Sequence, residues 1–287
     1  MDPISLYNIQ QTIAPTVVGG RLELESSTEI QWKPYYNYSI GLYDGEDWKV
    51  VMPSGLIQAF IDSTTISGSG LSNDTSYDVY AKYESQDNFT LEFQEWAGNN
   101  SRYEAPTEFQ GVLVRNLTTA GKQMRWLGII RVGTAEFLDE DHHRYIFNHY
   151  NKKRKSLWTR QSDTNYYQYS TETVRECNGG SNWYRAWFIC NEPIEMGCFV
   201  CGANWTQNTN CYFIFSVNFN TTTSLNPLNW RVGQDSDASG DDRWSFGRTT
   251  RTSIEGLNYM TMLEYAYQTS QVNAGYQWQG GTAMLWC

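Results

Sequence analysis

Alternation with a period of two runs through this chain and limits its fold more than any other feature. Leu22 and Leu24 alternate with Arg21, Glu23 and Glu25. Tyr77, Val79, Ala81 and Tyr83 alternate with Asp78, Tyr80, Lys82 and Glu84. Phe89, Leu91 and Phe93 alternate with Thr90, Glu92 and Gln94, and Cys211, Phe213, Phe215, Val217 and Phe219 occupy one side of a later run. Successive strand residues face opposite ways, so each run offers one face to a core and the other to solvent or to a second layer. Half-buried strands of this kind suit antiparallel sheets. Turn residues punctuate the runs at Gly19-Gly20, Asp44-Gly45, Gly98-Asn99-Asn100, Gly179-Gly180 and Gly280-Gly281. Asp44-Gly45, set between GLY and WKVVM, is a hairpin signal. Helical candidates are few; the best, Leu56 to Ile61, reads equally as a strand. The expected fold is all-β, with two antiparallel domains built as sandwiches or barrels, the second jelly-roll-like.

The 287 residues suffice for one large or two medium domains. All six cysteines fall after residue 176, and the basic run Lys152, Lys153, Arg154, Lys155 with the polar stretch that follows it marks a change of character. These shifts place a boundary near 155, giving an N-terminal β domain over 1–155 and a Cys- and Trp-rich β-sandwich domain over 156–287. Lys152–Lys155 itself reads as a solvated hinge.

With 21 Lys+Arg against 31 Asp+Glu the net charge is −10, and the isoelectric point is about 4.8. A chain of that sign is a poor partner for nucleic acid, whose phosphates demand clustered cations. Hydrophobic residues make up 40%, yet mean hydropathy is −0.57, because much of the apolar mass is carried by 12 Trp, 20 Tyr and 12 Phe. Tyr and Trp join an apolar face to a polar tip, which serves strand faces and binding surfaces alike. No stretch reaches the roughly 18 apolar residues that a membrane helix requires. The first twenty residues lack the basic start and apolar run of a signal peptide, so a route out of the cell would be another one, of which release by lysis is an example. Asn-x-Ser/Thr sites at Asn37, Asn73, Asn88, Asn99, Asn116, Asn204 and Asn220 then reflect an Asn/Thr-rich composition and not glycosylation.

Candidate chemistry is sparse. Cys177, Cys190, Cys198, Cys201, Cys211 and Cys287 form a disulfide or thiol cluster in sequence. Cys198 and Cys201 have zinc-knuckle spacing, but a second knuckle is missing. Disulfides formed after release from the cell and buried thiols acting as small apolar residues both stay open. His142, His143 and His149 lie beside Asp139, Glu140 and Asp141, and read as a hydrated acidic turn leading into a strand rather than a metal site. Asp235, Asp237, Ser239 and Asp241, with Gly240, imitate the first half of a calcium loop, although Phe246 stands where the closing Glu belongs. An acidic surface loop is the plainer reading, and Ca²⁺ is the one cofactor suggested. No nucleophile elbow, zinc-protease or phosphate-loop motif occurs, so no catalytic residue is assigned. A glycosidase needs only two carboxylates, which Glu92, Glu95, Asp235 and Asp241 keep open as a polysaccharide-degrading alternative. Trp183 and Trp205, set beside Gly and Asn, are the candidate ligand-facing aromatics, since flat rings stack on sugars.

Much of the N-terminal half resembles a family of phage and prophage virion proteins found among tail-fibre and particle-surface genes. The resembling stretches are GGRLELESS (19–27), IGLYDGEDWKV (40–50), LSNDTSYDVYAKYE (71–84), LEFQEW (91–96), MRWLGIIRVG (124–133) and DEDHHRYIFNHYNKKRK (139–155). Near the C-terminus, Gly256-Leu257-Asn258-Tyr259, Leu263-Glu264-Tyr265 and Gly280-Gly281 look like the end of the same proteins. The Cys-rich stretch departs from the pattern. The resemblance implies a non-enzymatic virion component, made in the host cytoplasm and exposed after lysis, as a fibre, spike or capsid decoration. It implies other virion proteins as partners and a homo-oligomer, with a trimer the leading form. Recognition of a host surface glycan is the alternative role.

Overall fold

The computed structural model describes residues 13–54, 57–60, 71–116, 123–161, 167–169, 171–180, 183–190, 193–205, 212–224, 230–233, 242–252, 254–267, 271–274 and 280–287. Strands dominate them, and no α-helix occurs among the described residues. In chain order the first strands are β1 (Gly20–Ser26), β2 (Glu29–Pro34), β3 (Ile40–Tyr43), β4 (Trp48–Val51), β5 (Gln58–Phe60), β6 (Ser76–Ser85) and β7 (Asn88–Gly98). Next come β8 (Ser101–Arg102), β9 (Thr107–Phe109), β10 (Val112–Asn116), β11 (Gln123–Arg131), β12 (Asp139–Glu140), β13 (His143–Arg144) and β14 (Ile146–Asn148). After these run β15 (Arg154–Gln161), β16 (Tyr167–Tyr169), β17 (Arg175–Glu176), β18 (Trp183–Tyr184), β19 (Ala186–Cys190) and β20 (Pro193–Trp205). The last are β21 (Tyr212–Phe219), β22 (Trp230–Gly233), β23 (Asp242–Thr252), β24 (Gly256–Tyr267), β25 (Gln271–Ala274) and β26 (Gly280–Trp286). The helical candidate at 56–61 contributes the strand β5 instead.

Two compact units result. Unit 1 comprises Met1–Asp139, Tyr145–Lys153 and Cys287; unit 2 comprises Glu140–Arg144 and Arg154–Trp286. The partition follows several segments and not a single cut. The basic run is divided by it, with Lys152 and Lys153 in unit 1 while Arg154 and Lys155 open β15. Lys153 is tied down, since its backbone N–H and carbonyl exchange bonds of 2.7 and 3.0 Å with Cys287.

In unit 1, a sheet ordered β8-β7-β6-β11-β10-β9 faces two smaller ones, β1-β2-β5 and β3-β4. Asp44 makes the β3-β4 hairpin turn, its Oδ1 accepting from the N–H groups of Glu46 and Asp47 at 2.8 Å each. One core joins Leu22, Ile30, Trp32, Leu42, Val79, Phe89 and Ile130, all nearly inaccessible to water. Trp32 meets Phe89 edge to face at 5.9 Å between centroids, a geometry that adds about 0.5–1.5 kcal/mol beyond the area buried.

The alternation is only half of the burial pattern. In β6 every residue from Ser76 to Ala81 is buried, including Asp78 and Tyr80 on the nominally polar face. Asp78 accepts two bonds from Arg102, at 2.6 and 2.9 Å, and one from Trp126 Nε1 at 2.8 Å. The Arg102 guanidinium lies 4.4 Å from the Trp96 ring centroid and 5.4 Å from that of Trp126. A second layer of aromatic and paired charged groups therefore covers this face, as a buried charge must be paired to be tolerated.

Arg21 is the other departure. It sits at a polar position of β1, yet is fully buried. Its Nη1 donates to the Asn151 carbonyl at 2.7 Å and its Nη2 to the Cys287 carbonyl at 3.0 Å. Beside it, the Asn148 side chain completes the edge of β1: Oδ1 accepts from Leu22 N–H at 2.7 Å and Nδ2 donates to Leu22 O at 3.0 Å. Asn151 Nδ2 donates to the carbonyls of Val18 and Gly20, both at 2.8 Å. Asn148 ends β14, which pairs with β11 at Gly128. A Cβ at Gly128 would fall 2.0 Å from the Phe147 carbonyl oxygen, so only glycine lets these backbones approach.

In unit 2 the sheet β13-β19-β24-β21-β22, with β17 on β24, meets a second sheet ordered β16-β25-β20-β26-β15-β18, with β23 on β20. Strands β15 and β26 of the second sheet lie against β24 of the first. Leu157, Phe188, Met260, Met262 and Leu285 are buried there. Among the described residues, β13 and β19 pair in parallel, whereas β19 and β24 are antiparallel.

Arg21→Met keeps much of the side-chain volume but leaves the part-buried Asn151 carbonyl without its donor and takes one of two donors from the Cys287 carbonyl, which keeps Lys153 N–H. We expect a loss of about 2 kcal/mol of unfolding free energy, at a cost of about 1–3 kcal/mol for the one carbonyl left unsatisfied, measured as a lowered urea midpoint with an unchanged m-value.

Candidate functional site

A cleft of about 520 Å³ lies in unit 1, lined by Pro15, Thr16, Gln110, Gly111, Val112, Leu113, Arg125, His149 and Tyr150. Its rim is the two-residue β9-β10 hairpin, where Gln110 and Gly111 have φ of 50° and 80°. Two consecutive positive φ values match the right-handed twist of paired strands, and the Gly makes the second inexpensive. A Cβ at Gly111 would meet nothing within 4 Å, so this edge of the cleft is open. Trp48 Nε1 donates to Gln110 Oε1 at 2.7 Å and so orients the amide.

The cleft wall comes from β11 and the residues after β14. Arg125 is 2% exposed. Its Nη1 donates to the Gly41 carbonyl at 2.9 Å, and its guanidinium stacks 4.6 Å from the Tyr150 ring centroid. Burial pushes its pKa down from the ordinary arginine value, with Tyr150 opposing. Gly41 is glycine because a Cβ there would collide with the Ala14 carbonyl oxygen at 1.6 Å. His149 packs on Trp126 at 4.8 Å and on Tyr150 at 4.5 Å between ring centroids. The arrangement aligns a fixed cation, an imidazole, a phenol and an amide along one concavity, which is the equipment of a binding site.

The residues singled out in the sequence are distributed otherwise. Asp235, Asp237, Ser239 and Asp241 lie outside the described residues, as does Cys211. Trp183 falls in β18, Trp205 in β20, and Cys198 and Cys201 in β20, opposite Gly247 and Trp244 of β23; the side chains of all four are outside the described set. Cys177, Cys190 and Cys287 are buried, the first two in unit 2 and the last in unit 1. The histidines do not converge. His142 Nδ1 lies 2.8 Å from the Trp158 carbonyl, His143 Nδ1 lies 3.1 Å from Glu140 Oε1, and His149 belongs to the cleft of unit 1. No three metal-ligating side chains gather among the described residues. Glu92 and Glu95 stand three apart on β7 and so face opposite ways, with Glu92 3.6 Å from Lys82. Strongly exposed aromatics occur instead at Tyr36 and Tyr103.

Sequence reasoning passed over Arg125. The available signal was a lone cation within the apolar strand MRWLGII, together with the polar run Asn148-His149-Tyr150-Asn151. Unit 2 holds two ion pairs that the sequence did not reveal. Fully buried Glu264 accepts from Arg175 Nε at 2.7 Å, across the β17-β24 register. Glu176 accepts from Arg185 Nε and Nη2, both at 2.7 Å, and from Thr261 Oγ1 at 2.9 Å.

No family model matches the chain, and no curated protein matches it. Among solved structures, similarity is found to the insecticidal delta-endotoxin Cry8Ea1 from Bacillus thuringiensis, at 10% identity and a TM-score of 0.29, covering 98% of this chain and 55% of that one. It is also found to infectious bursal disease virus, Gt strain, at 11% identity and a TM-score of 0.29, covering 75% and 58%. The Gx strain of the same virus gives 11% and 0.30, covering 93% and 76%. The chain thus spans little more than half the length of the first two. These are weak likenesses.

The Glu176 pair sets a pH dependence. Hydrogen bonds from Arg185 foremost, and from Thr261, hold this carboxyl below its ordinary value of 4.5. A depressed folded-state pKa contributes stability that is present above 4.5 and lost as pH falls through the folded value. The thermal midpoint of the chain is expected to fall on acidification below that point, and Glu176→Gln to flatten that part of the profile, as read by circular dichroism across a pH series.

Proposed function

We propose that this chain is a non-enzymatic structural component of a bacteriophage particle, displayed on its surface as a fibre, spike or capsid decoration and assembled as a homo-oligomer, with the trimer as the expected form. The observation that carries the reading is where the resembling residues go. GGRLELESS, MRWLGIIRVG and RYIFNHYN supply Arg21, Leu22, Gly128, Asn148 and Asn151, and these bind one another's backbone in the interior of unit 1. Residues spent in this way specify a scaffold and leave reactivity to other positions. The family resemblance and the scaffold role of its motifs therefore agree. Synthesis in the host cytoplasm, release by lysis and contact with other virion proteins belong to the same proposal.

Quantitative mass spectrometry of particles purified from a lysate, with antibody labelling in electron micrographs, tests it. The chain is expected in fixed stoichiometry with the particle and at its surface; recovery only from the soluble fraction refutes the reading. Light scattering of the purified chain is expected to give three times the 33.1 kDa chain mass, and a monomer at all accessible concentrations would remove the oligomer from the proposal.

A further inference from the structure

Three arginines are buried among the described residues: Arg21, Arg125 and Arg131. Arg21 has Glu23 at 3.3 Å and Arg131 has Asp74 at 3.8 Å. Arg125 has no carboxylate within ion-pair distance among the described residues, and its Nε makes no hydrogen bond. Its partners are a backbone carbonyl and Tyr150, which meets it through both ring and hydroxyl and is a neutral phenol. A buried cation without a counter-charge is costly, and proteins seldom retain one without a partner. This one also lies on the wall of the 520 Å³ cleft.

We propose that the cleft beside Arg125 binds a carboxylate, carried by a small organic acid or by an acidic sugar. Nε is shut away from the surface, so it is the Nη edge of the planar guanidinium that matches the oxygens of a carboxylate. At the rim, Trp48 occupies Gln110 Oε1, which leaves the amide NH₂ of Gln110 as the available donor. The volume suits a group of monosaccharide size. The chain carries a net charge of −10, so an anion is drawn only to a place where a cation is locally dominant, and Arg125 supplies that place. The inference stands whether or not the chain belongs to a particle.

Isothermal titration calorimetry of the full chain at constant ionic strength tests it, with glucuronate, acetate and glucose as probes. Saturable binding of glucuronate and none of glucose is expected. Acetate binding as well shows that a bare carboxylate suffices, whereas glucuronate binding alone assigns the site to an acidic sugar. Arg125→Lys is expected to abolish the glucuronate signal, and Gln110→Ala to weaken it severalfold. Gln110 is exposed at a turn, so that variant carries the test if Arg125→Lys does not fold. Absence of binding by either carboxylate, glucose binding equal to that of glucuronate, or glucuronate affinity unchanged in Gln110→Ala overturns the proposal.

Discussion

The bonds among Arg21, Asn148 and Asn151 hold the edge of unit 1 in place, and much else in that unit follows from them. Strand β1 has β2 on one side only. Its other edge would present unpaired N–H and C=O groups, and such an edge is prone to pairing with another chain. The Asn148 amide occupies the edge at Leu22, and the Asn151 amide takes the carbonyls of Val18 and Gly20. Arg21 then gathers the Asn151 and Cys287 carbonyls behind the strand. Side chains here do the work of a neighbouring strand, and they place Leu22 in the core opposite Val79 and Ile130.

The same economy appears at two buried acids among the described residues. Asp78 meets Arg102 and Trp126, and Glu264 meets Arg175. Each acid has a hydrogen-bonded cation at 2.7 Å or less, the condition under which a buried charge becomes tolerable. Arg125 breaks this rule, and it does so on the wall of a cleft. Among the described residues the other buried charges are matched, and that contrast is why we place a carboxylate ligand in this cleft.

The alternation of Leu22 with Leu24, and of Tyr77 with Val79 and Ala81, made the all-β fold legible in advance, because period two is a local property of extended backbone. The Asp44-Gly45 turn was legible for the same reason, as its hydrogen bonds reach only two and three residues ahead. The segment 56–61 was ambiguous because a short apolar run fits either period, and pairing of β5 with β2 resolved it. The cleft was not legible. Its lining comes from positions 15–16, 110–113, 125 and 149–150, which only the sheet brings together.

The amino-acid order by itself determined that the chain is extended, turns where Gly and Asn permit, and alternates its faces, since these depend on backbone sterics and on near neighbours. Tertiary structure alone decided which polar residues of those alternating faces would be buried. Arg21 and Asp78 occupy nominally outward positions, and what removes them from water is partners lying 24 to 266 residues away. The free energy of a buried charge depends on whether its partner arrives, and that is a property of the assembled sheets and not of the strand that carries the charge.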